Sequence, residues 1–467
     1  MQFHYTDFEK VHSHDFANEK KADHVPFLAF AAFSLLVISL GFSPTFVLLL
    51  PFSAFAVALL ASNPNHFGLG FSVLLIISLS RHYSVASIPE LVLIVRIAVI
   101  SLFGIAFVKN IRELSEYRTP LLFFGLFLLV AAVSSYYHSI YVKISELKLL
   151  FAGLFFLGLL KSARSTDGFP AALFGIISAI AILSAAFFFL YPVVGYAFVF
   201  DPNAGPEMTG KFSGIMSHPQ LMAILLGVNL PLLLYAYLTS KGATFALALA
   251  AIAATIMLTA VSSSRTGLLA VAVGFASMLY LMRNSPSPLT RSRVKQAWGM
   301  AILAVLLGLA TSFEEIQIFI FKTSDIWGGI SLSGRDEIIA DSWNGFLANP
   351  IFGNGFQVPS DFTEHGASSF GLDSDATSVE KCFFITMLLE EVGIVGAFLF
   401  LSFVGLLLNR WNQKGSYVSI AAMLSFLTAN IGEACILSPS SIGGLCWLSI
   451  FAAHNLVHVQ PGRPSPR

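Results

Sequence analysis

Residues 382–408 read CFFITMLLEEVGIVGAFLFLSFVGLLL, an apolar run in which Glu390 and Glu391 are the only charged residues. A run of this length exceeds the roughly 20 residues that an α-helix needs to cross about 30 Å of hydrocarbon. It reads as a membrane span. The two carboxylates stand about 12 Å into that helix at 1.5 Å per residue. Each costs about 2.5–3.5 kcal/mol there unless it faces a polar interior, so something has to compensate them. Arg96, midway along the apolar stretch Val92–Ala98, is a candidate counter-ion that would make a packing pair. The other reading is a polar path for ions or protons.

Working outward from this run, similar stretches recur at 26–42, 44–61, 68–81, 89–108, 119–137, 147–163, 169–194, 219–239, 243–261, 266–282, 297–313, 417–436 and 440–459. With 56% hydrophobic and 11% charged residues, the chain is far from a soluble composition, and its mean hydropathy is +0.78. The expected fold is an all-α integral membrane protein with 12–14 transmembrane helices, the upper count matching the stretches above. Alternating these spans puts Lys109, Arg112, Arg118, Lys161, Arg164, Arg283, Arg291, Arg293, Lys295, Arg410 and Lys414 on one side, which the positive-inside rule makes cytoplasmic. The polar insert 314–380 falls on the other side, with Lys322 and Arg335 as its only cations against eleven Asp and Glu. The expected division is a cytoplasmic segment 1–25, a first membrane part 26–313, the external loop 314–380, three closing helices in 381–460 and a cytoplasmic tail 461–467.

Net charge is zero and no basic patch carries interleaved aromatics, so a nucleic-acid partner has no support. Cys382, Cys435 and Cys446 all fall in expected spans without CxxC spacing, which fits core residues rather than a disulfide framework or a zinc site. No P-loop or Rossmann glycine pattern is present, nor an acidic-pair loop for a metal-bound nucleotide sugar. Neither a metal nor a cofactor is expected.

Within the insert, Ser333-Gly334-Arg335-Asp336 has capping-box spacing, and an amphipathic helix is expected over 334–348, stopping at Asn349-Pro350. Arg335 precedes Ile339 by four residues and Trp343 by eight, which places it on the apolar face, turned toward the membrane domain. Gly353 and Gly355 permit a tight turn after the helix.

Four pieces of the chain resemble the O-antigen ligase and O-antigen polymerase family of bacterial membrane glycosyltransferases, over roughly 210–400. They are Gly214-Ile215-Met216-Ser217-His218-Pro219-Gln220, Ser262-Ser263-Ser264-Arg265-Thr266-Gly267, Gly334-Arg335 through Trp343, Pro350 and Gly353-Asn354-Gly355, and Glu380-Lys381 followed by Leu388-Leu389-Glu390-Glu391-Val392-Gly393-Ile394-Val395-Gly396. The resemblance implies transfer of a polyprenyl-pyrophosphate-linked oligosaccharide onto an acceptor glycan or glycolipid. The reaction would occur at the periplasmic face of a bacterial inner membrane, alongside polysaccharide-assembly partners and without a metal. Guanidinium groups would stabilise the leaving pyrophosphate, and Arg265 and Arg335 take that role. The blander readings are lipid snorkelling for Arg265 and an ion pair with Asp336, Glu337 or Asp341 for Arg335.

A base must take the acceptor proton. Family ligases often carry a histidine where this chain has Val379-Glu380-Lys381-Cys382, so Glu380 is the candidate base; a helix-capping carboxylate is the alternative. Lys381, His218, Trp343 and Lys211 complete the expected substrate-binding set, with an interfacial histidine as the plainer account of His218. The missing histidine puts polymerase ahead of ligase. The rival from another class is a glycolipid or secondary transporter using Arg96, Glu390, Glu391 and Glu433, although the hydropathy lacks the internal repeat such folds show. A non-catalytic scaffold in polysaccharide assembly is the third reading.

Overall fold

The protein is described here from a computed structural model covering residues 117–139, 141–162, 169–190, 212–216, 218–311, 335–358, 381, 383–438, 442–454 and 456. All regular elements among them are helices: α1 (Arg118–Tyr137), α2 (Val142–Ser162), α3 (Phe169–Leu190), α4 (Pro219–Thr239), α5 (Gly242–Val261), α6 (Arg265–Met282), α7 (Pro288–Thr311), α8 (Arg335–Ala348), α9 (Phe384–Lys414), α10 (Tyr417–Ala429) and α11 (Ile442–Ala453). Six of the described helices, α1, α3, α4, α5, α6 and α9, are long and apolar enough to cross a bilayer. This is an all-α membrane protein. The stretches 26–42, 44–61, 68–81 and 89–108, with Arg96, lie outside the described residues, as does Cys382.

The centre is α4, which packs against α3, α5, α6, α7, α10 and α11. Its sequence is apolar on all sides, as a helix enclosed by others requires. On lipid-like ground, close backbone approach rather than a hydrophobic drive holds helices together, and small residues permit it. A Cβ added at Gly267 of α6 would stand 2.4 Å from the Cβ of Ala223, and one at Gly227 would stand 3.2 Å from that of Ala270. Ser425 of α10 closes this seam, its hydroxyl lying 3.0 Å from Gly227 O and 2.8 Å from Ala270 O. Part of the phenylalanine excess packs α1 on α9, with ring centroids 5.0 Å apart for Phe124 and Phe403 and 5.2 Å for Phe127 and Phe400.

Short connections after α4, α6 and α9 make successive helices antiparallel. Arg283, Arg291, Arg293, Lys295, Arg410 and Lys414 therefore share one end of the bundle, and the heads of α4, α6, α9 and α11 share the other. The expected spans 417–436 and 440–459 need correction, since α10 stops at Ala429 and α11 occupies only 442–453. For α10 the physical cause is Asn430: its side chain accepts from the N–H groups of Cys435 and Ile436, both at 2.8 Å, and turns the chain before the helix can continue. Cys435 accordingly lies on this turn and not in a span, while Cys446 is buried in α11.

Candidate functional site at the heads of α4, α6 and α9

In an uninterrupted helix the N–H groups of Ile394 and Val395 would donate to the carbonyls of Glu390 and Glu391. Gly393 breaks that ladder with φ 63° and ψ −172°. Ile394 N–H donates instead to Pro350 O at 2.9 Å and Val395 N–H to Ile351 O at 3.4 Å, while Asn354 N–H and Gly355 N–H donate to the freed oxygens of Glu390 (2.8 Å) and Glu391 (3.1 Å). Two helix bonds are exchanged for four between segments. The turn after α8 is thereby built into α9, and this close approach is what demands glycine. A Cβ at Gly393 would stand 2.3 Å from the carbonyl carbon of Ile351, and one at Gly353, where φ is 76°, would stand 2.4 Å from that of Glu391.

The wedge is fixed from several sides. Asn354 donates its side-chain amide to Gly345 O at 2.7 Å and accepts from the Asn349 amide. Ser134 of α1 donates to Glu391 O at 3.0 Å, Ser145 of α2 to Phe356 O at 2.9 Å, and Lys148 to Gln357 O at 2.8 Å. Phe356 is fully buried and Asn354 nearly so. This part of the expected external loop is therefore packed inside the helical domain.

The charges beneath the wedge answer the question posed by Glu390 and Glu391. Their counter-ion among the described residues is Lys381, whose Nζ lies 3.1 Å from Glu390 Oε2 and 3.2 Å from Glu391 Oε1 and donates to Val358 O at 3.2 Å. The ammonium donates to Glu391 Oε1 and Val358 O and is held by Glu390 as an ion pair. Lys148 adds a second positive charge that acts on Glu391. Burial alone would lower the Lys381 pKa, but Glu391 and Glu390 outweigh it and hold the ammonium above the usual lysine range. Removing one partner of a buried pair costs about 3–5 kcal/mol. Lys381→Met is expected to lower the thermal midpoint in detergent accordingly, and combining it with Glu390→Gln and Glu391→Gln is expected to restore most of the loss. No restoration would contradict direct charge compensation.

Helix α8 begins at Arg335 and ends at Ala348, within one residue of expectation, and packs on α9. Its apolar phase needs correction. Among the described side chains of this helix the buried one is Ser342, whereas Trp343 is 45% and Leu347 57% exposed. In a membrane-associated helix, apolar side chains also face lipid, so an apolar stripe does not by itself mark the packed face. Trp343 instead stands beside Phe346, with ring centroids 5.1 Å apart. Backbone position 335 precedes Ser342 by seven residues, about 20° away around the helix at 3.6 residues per turn.

Arg265 opens α6, where Ser264 caps the helix by accepting Gly267 N–H at 3.2 Å and Ser263 adopts φ 54°. A cation at a helix N-terminus is opposed by the dipole, but a guanidinium and free helix N–H groups reinforce each other on an anion. His218 caps α4 by accepting Gln220 N–H on Nδ1 at 3.2 Å, so the neutral ring carries its proton on Nε2, as a donor. The preceding Gly214 has φ 58°, and Ile215 N–H donates to Ser184 of α3 at 3.3 Å. Burial first, then Glu433, push the Cys435 thiol well above its usual range, which disqualifies it as a nucleophile. Among the described residues no group of three His, Cys, Asp or Glu stands together as a metal site. Glu380 and Lys211 lie outside the described residues.

Helix heads, a capped arginine and a loop built into a broken span define the class: a multi-pass membrane protein with a polar site at one end of its bundle. Residues 249–379 match the family model described as O-antigen ligase. Over that stretch, which holds α6, Arg265, α8, Gly353 and Gly355, the chain is O-antigen-ligase-like, and the match supports a glycosyl-transferring membrane enzyme. No curated protein matches the chain.

Sequence reasoning placed Arg265, His218 and Lys381 at one end of the bundle, and they are there. It missed Lys381 as the counter-ion, Lys148 as its neighbour and the exchange at Gly393. The available signal was a glycine directly after two carboxylates inside an apolar run, with a lysine at the head of that run.

Proposed function

We propose that this protein polymerises polyprenyl-pyrophosphate-linked oligosaccharide repeat units into a surface polysaccharide at the periplasmic face of a bacterial inner membrane, without a metal. The observation that carries this reading is Arg265 at the capped head of α6, inside the family-matched stretch and at the end of the bundle that receives the insert. An acceptor hydroxyl oxygen attacks the anomeric carbon and the bond from that carbon to the pyrophosphate oxygen breaks. The polyprenyl pyrophosphate departs with the electron pair. Arg265 and Arg335 stabilise its charge, Glu380 takes the hydroxyl proton, and His218, Lys211 and Trp343 bind substrate. Lys381, expected to meet phosphate or carboxylate, instead pairs with Glu390 and Glu391 and donates to Glu391 and Val358, and it serves as the tether that places residue 380.

Ligation of the finished glycan to a lipid A-core or other acceptor is the second reading, favoured by the description of the matching family. A transporter is less well supported, because Glu390 and Glu391 are 3% and 2% exposed and paired with Lys381. Deleting the gene and separating surface glycans on a gel tests the choice. Lipid capped with a single repeat supports the polymerase, undecorated lipid with accumulated carrier-linked polymer supports the ligase, and unchanged glycans count against both. Glu380→Gln is expected to slow transfer by about 10²–10⁴-fold, the usual contribution of a positioned base; intact activity would remove Glu380 from that role.

A further inference from the structure

Bonds between helices fix how deep each element stands. Ser425 bonds Ala270 O and Gly227 O, which sets α10 beside α6 and α4 at those residues. Arg265 lies five residues outward of Ala270 along α6, and Asn430 five outward of Ser425 along the antiparallel α10. Each step is about 7–8 Å at 1.5 Å per residue, so Arg265 and Asn430 stand level. On the α9 side, Phe384 N–H donates to Asn430 O and Ala434 N–H to Lys381 O, both at 3.1 Å. The head of α9 stands level with them too. His218, nine residues outward of Gly227, stands about 6 Å further out. The turn after α10 thus begins level with the arginine and is bonded to the head of α9, below the rim formed by α4.

Its depth follows from helix length. At 13 and 12 residues, α10 and α11 span about 20 and 18 Å, well short of the roughly 30 Å of hydrocarbon. Irregular backbone at such depth survives only when its polar groups are satisfied within the protein or line a water-filled cavity. Asn430 caps Cys435 and Ile436, Trp447 donates to Ile436 O at 2.7 Å, and the Gln357 side chain donates to Leu437 O. Four segments hold the turn rigid, and Glu433 is the half-buried carboxylate it carries. A carboxylate at this level repels a pyrophosphate but accepts hydrogen bonds from sugar hydroxyls.

We propose that Glu433 is an acceptor-binding residue: its carboxylate takes a hydrogen bond from a hydroxyl neighbouring the one that reacts, orienting the acceptor sugar toward the donor whose pyrophosphate Arg265 holds. This rests on the glycosyl-transfer reading. The test uses the full-length protein in lipid nanodiscs, with farnesyl pyrophosphate as a probe of the anion site. The host's polyprenyl-pyrophosphate-linked repeat unit serves as donor, and an alkyl glycoside of the terminal repeat sugar as acceptor. Glu433→Gln is expected to raise the acceptor KM at least tenfold while leaving farnesyl pyrophosphate affinity and the melting temperature unchanged. Glu433→Asp, which keeps the charge but shortens the reach, is expected to raise that KM less. Weakened farnesyl pyrophosphate binding in Glu433→Gln would make Glu433 a support for Arg265 and overturn the proposal, as would an unchanged acceptor KM in both variants. Absence of transfer by the wild-type protein would instead overturn the glycosyl-transfer reading on which the proposal stands.

Discussion

Arg265→Ala is expected to abolish glycan polymer while leaving the protein at its wild-type level in the membrane. In the proposed reaction the site stabilises a leaving pyrophosphate, whose charge would develop where the guanidinium and the head of α6 converge. Loss of one preorganised donor to a developing anion typically costs about 10²–10³-fold in rate, and a guanidinium supplies two such bonds in a fixed fork. The loss in a purified assay is therefore expected at or above about 10³-fold. Arg265→Lys keeps the charge but not the fork, and is expected to recover only a small part. Arg265 stands half-buried at the first turn of its helix, outside the closely packed α4–α6–α10 seam. Membrane level and melting temperature are expected to hold. Arg335→Ala is expected to behave alike, and full polymer in both variants would remove the clamp from the account.

The second large effect is expected at Gly393. A methyl group there meets the Ile351 carbonyl group at 2.3 Å, and the left-handed backbone adds strain of its own. Each contribution is on the order of 1–3 kcal/mol, and the four bonds between α9 and the Pro350–Gly355 turn depend on the same approach. Gly393→Ala is expected to destabilise the protein by about 3 kcal/mol or more and to release the wedge. The measurements are thermal unfolding in detergent and protease cutting between α8 and α9, both compared with Gly405→Ala. A Cβ at Gly405 meets nothing within 4 Å. Equal behaviour of the two variants would contradict the exchange of backbone bonds.

Hydropathy located α1, α4, α5 and α6 to within one or two residues, because in those helices the apolar run and the hydrogen-bonded helix coincide. It misjudged α10 because Asn430 interrupts a run that remains apolar on either side. A transfer scale registers the neighbouring leucines and isoleucines, but not an amide that captures two backbone N–H groups. The phase of α8 was misread for a related reason: Trp343 and Leu347 are apolar yet exposed, while Ser342 is the buried position. Glu390 and Glu391 were legible as a debt of buried charge. Their creditor was not, since Lys381 reaches them only because the chain folds back ahead of α9. The exchange at Gly393 joins residues some forty positions apart, and no local pattern encodes it.

The central claim is glycosyl transfer from a polyprenyl-pyrophosphate donor at the heads of α6 and α9. Its most direct test is incubation of the purified full-length protein in nanodiscs with the host's polyprenyl-pyrophosphate-linked repeat unit, in the presence of a metal chelator, with products resolved by length. The account predicts lipid-linked glycans lengthened by whole repeats, with release of free polyprenyl pyrophosphate, and neither product from Arg265→Ala. Donor that stays unchanged with wild-type protein would contradict it, and so would equal lengthening by the arginine variant.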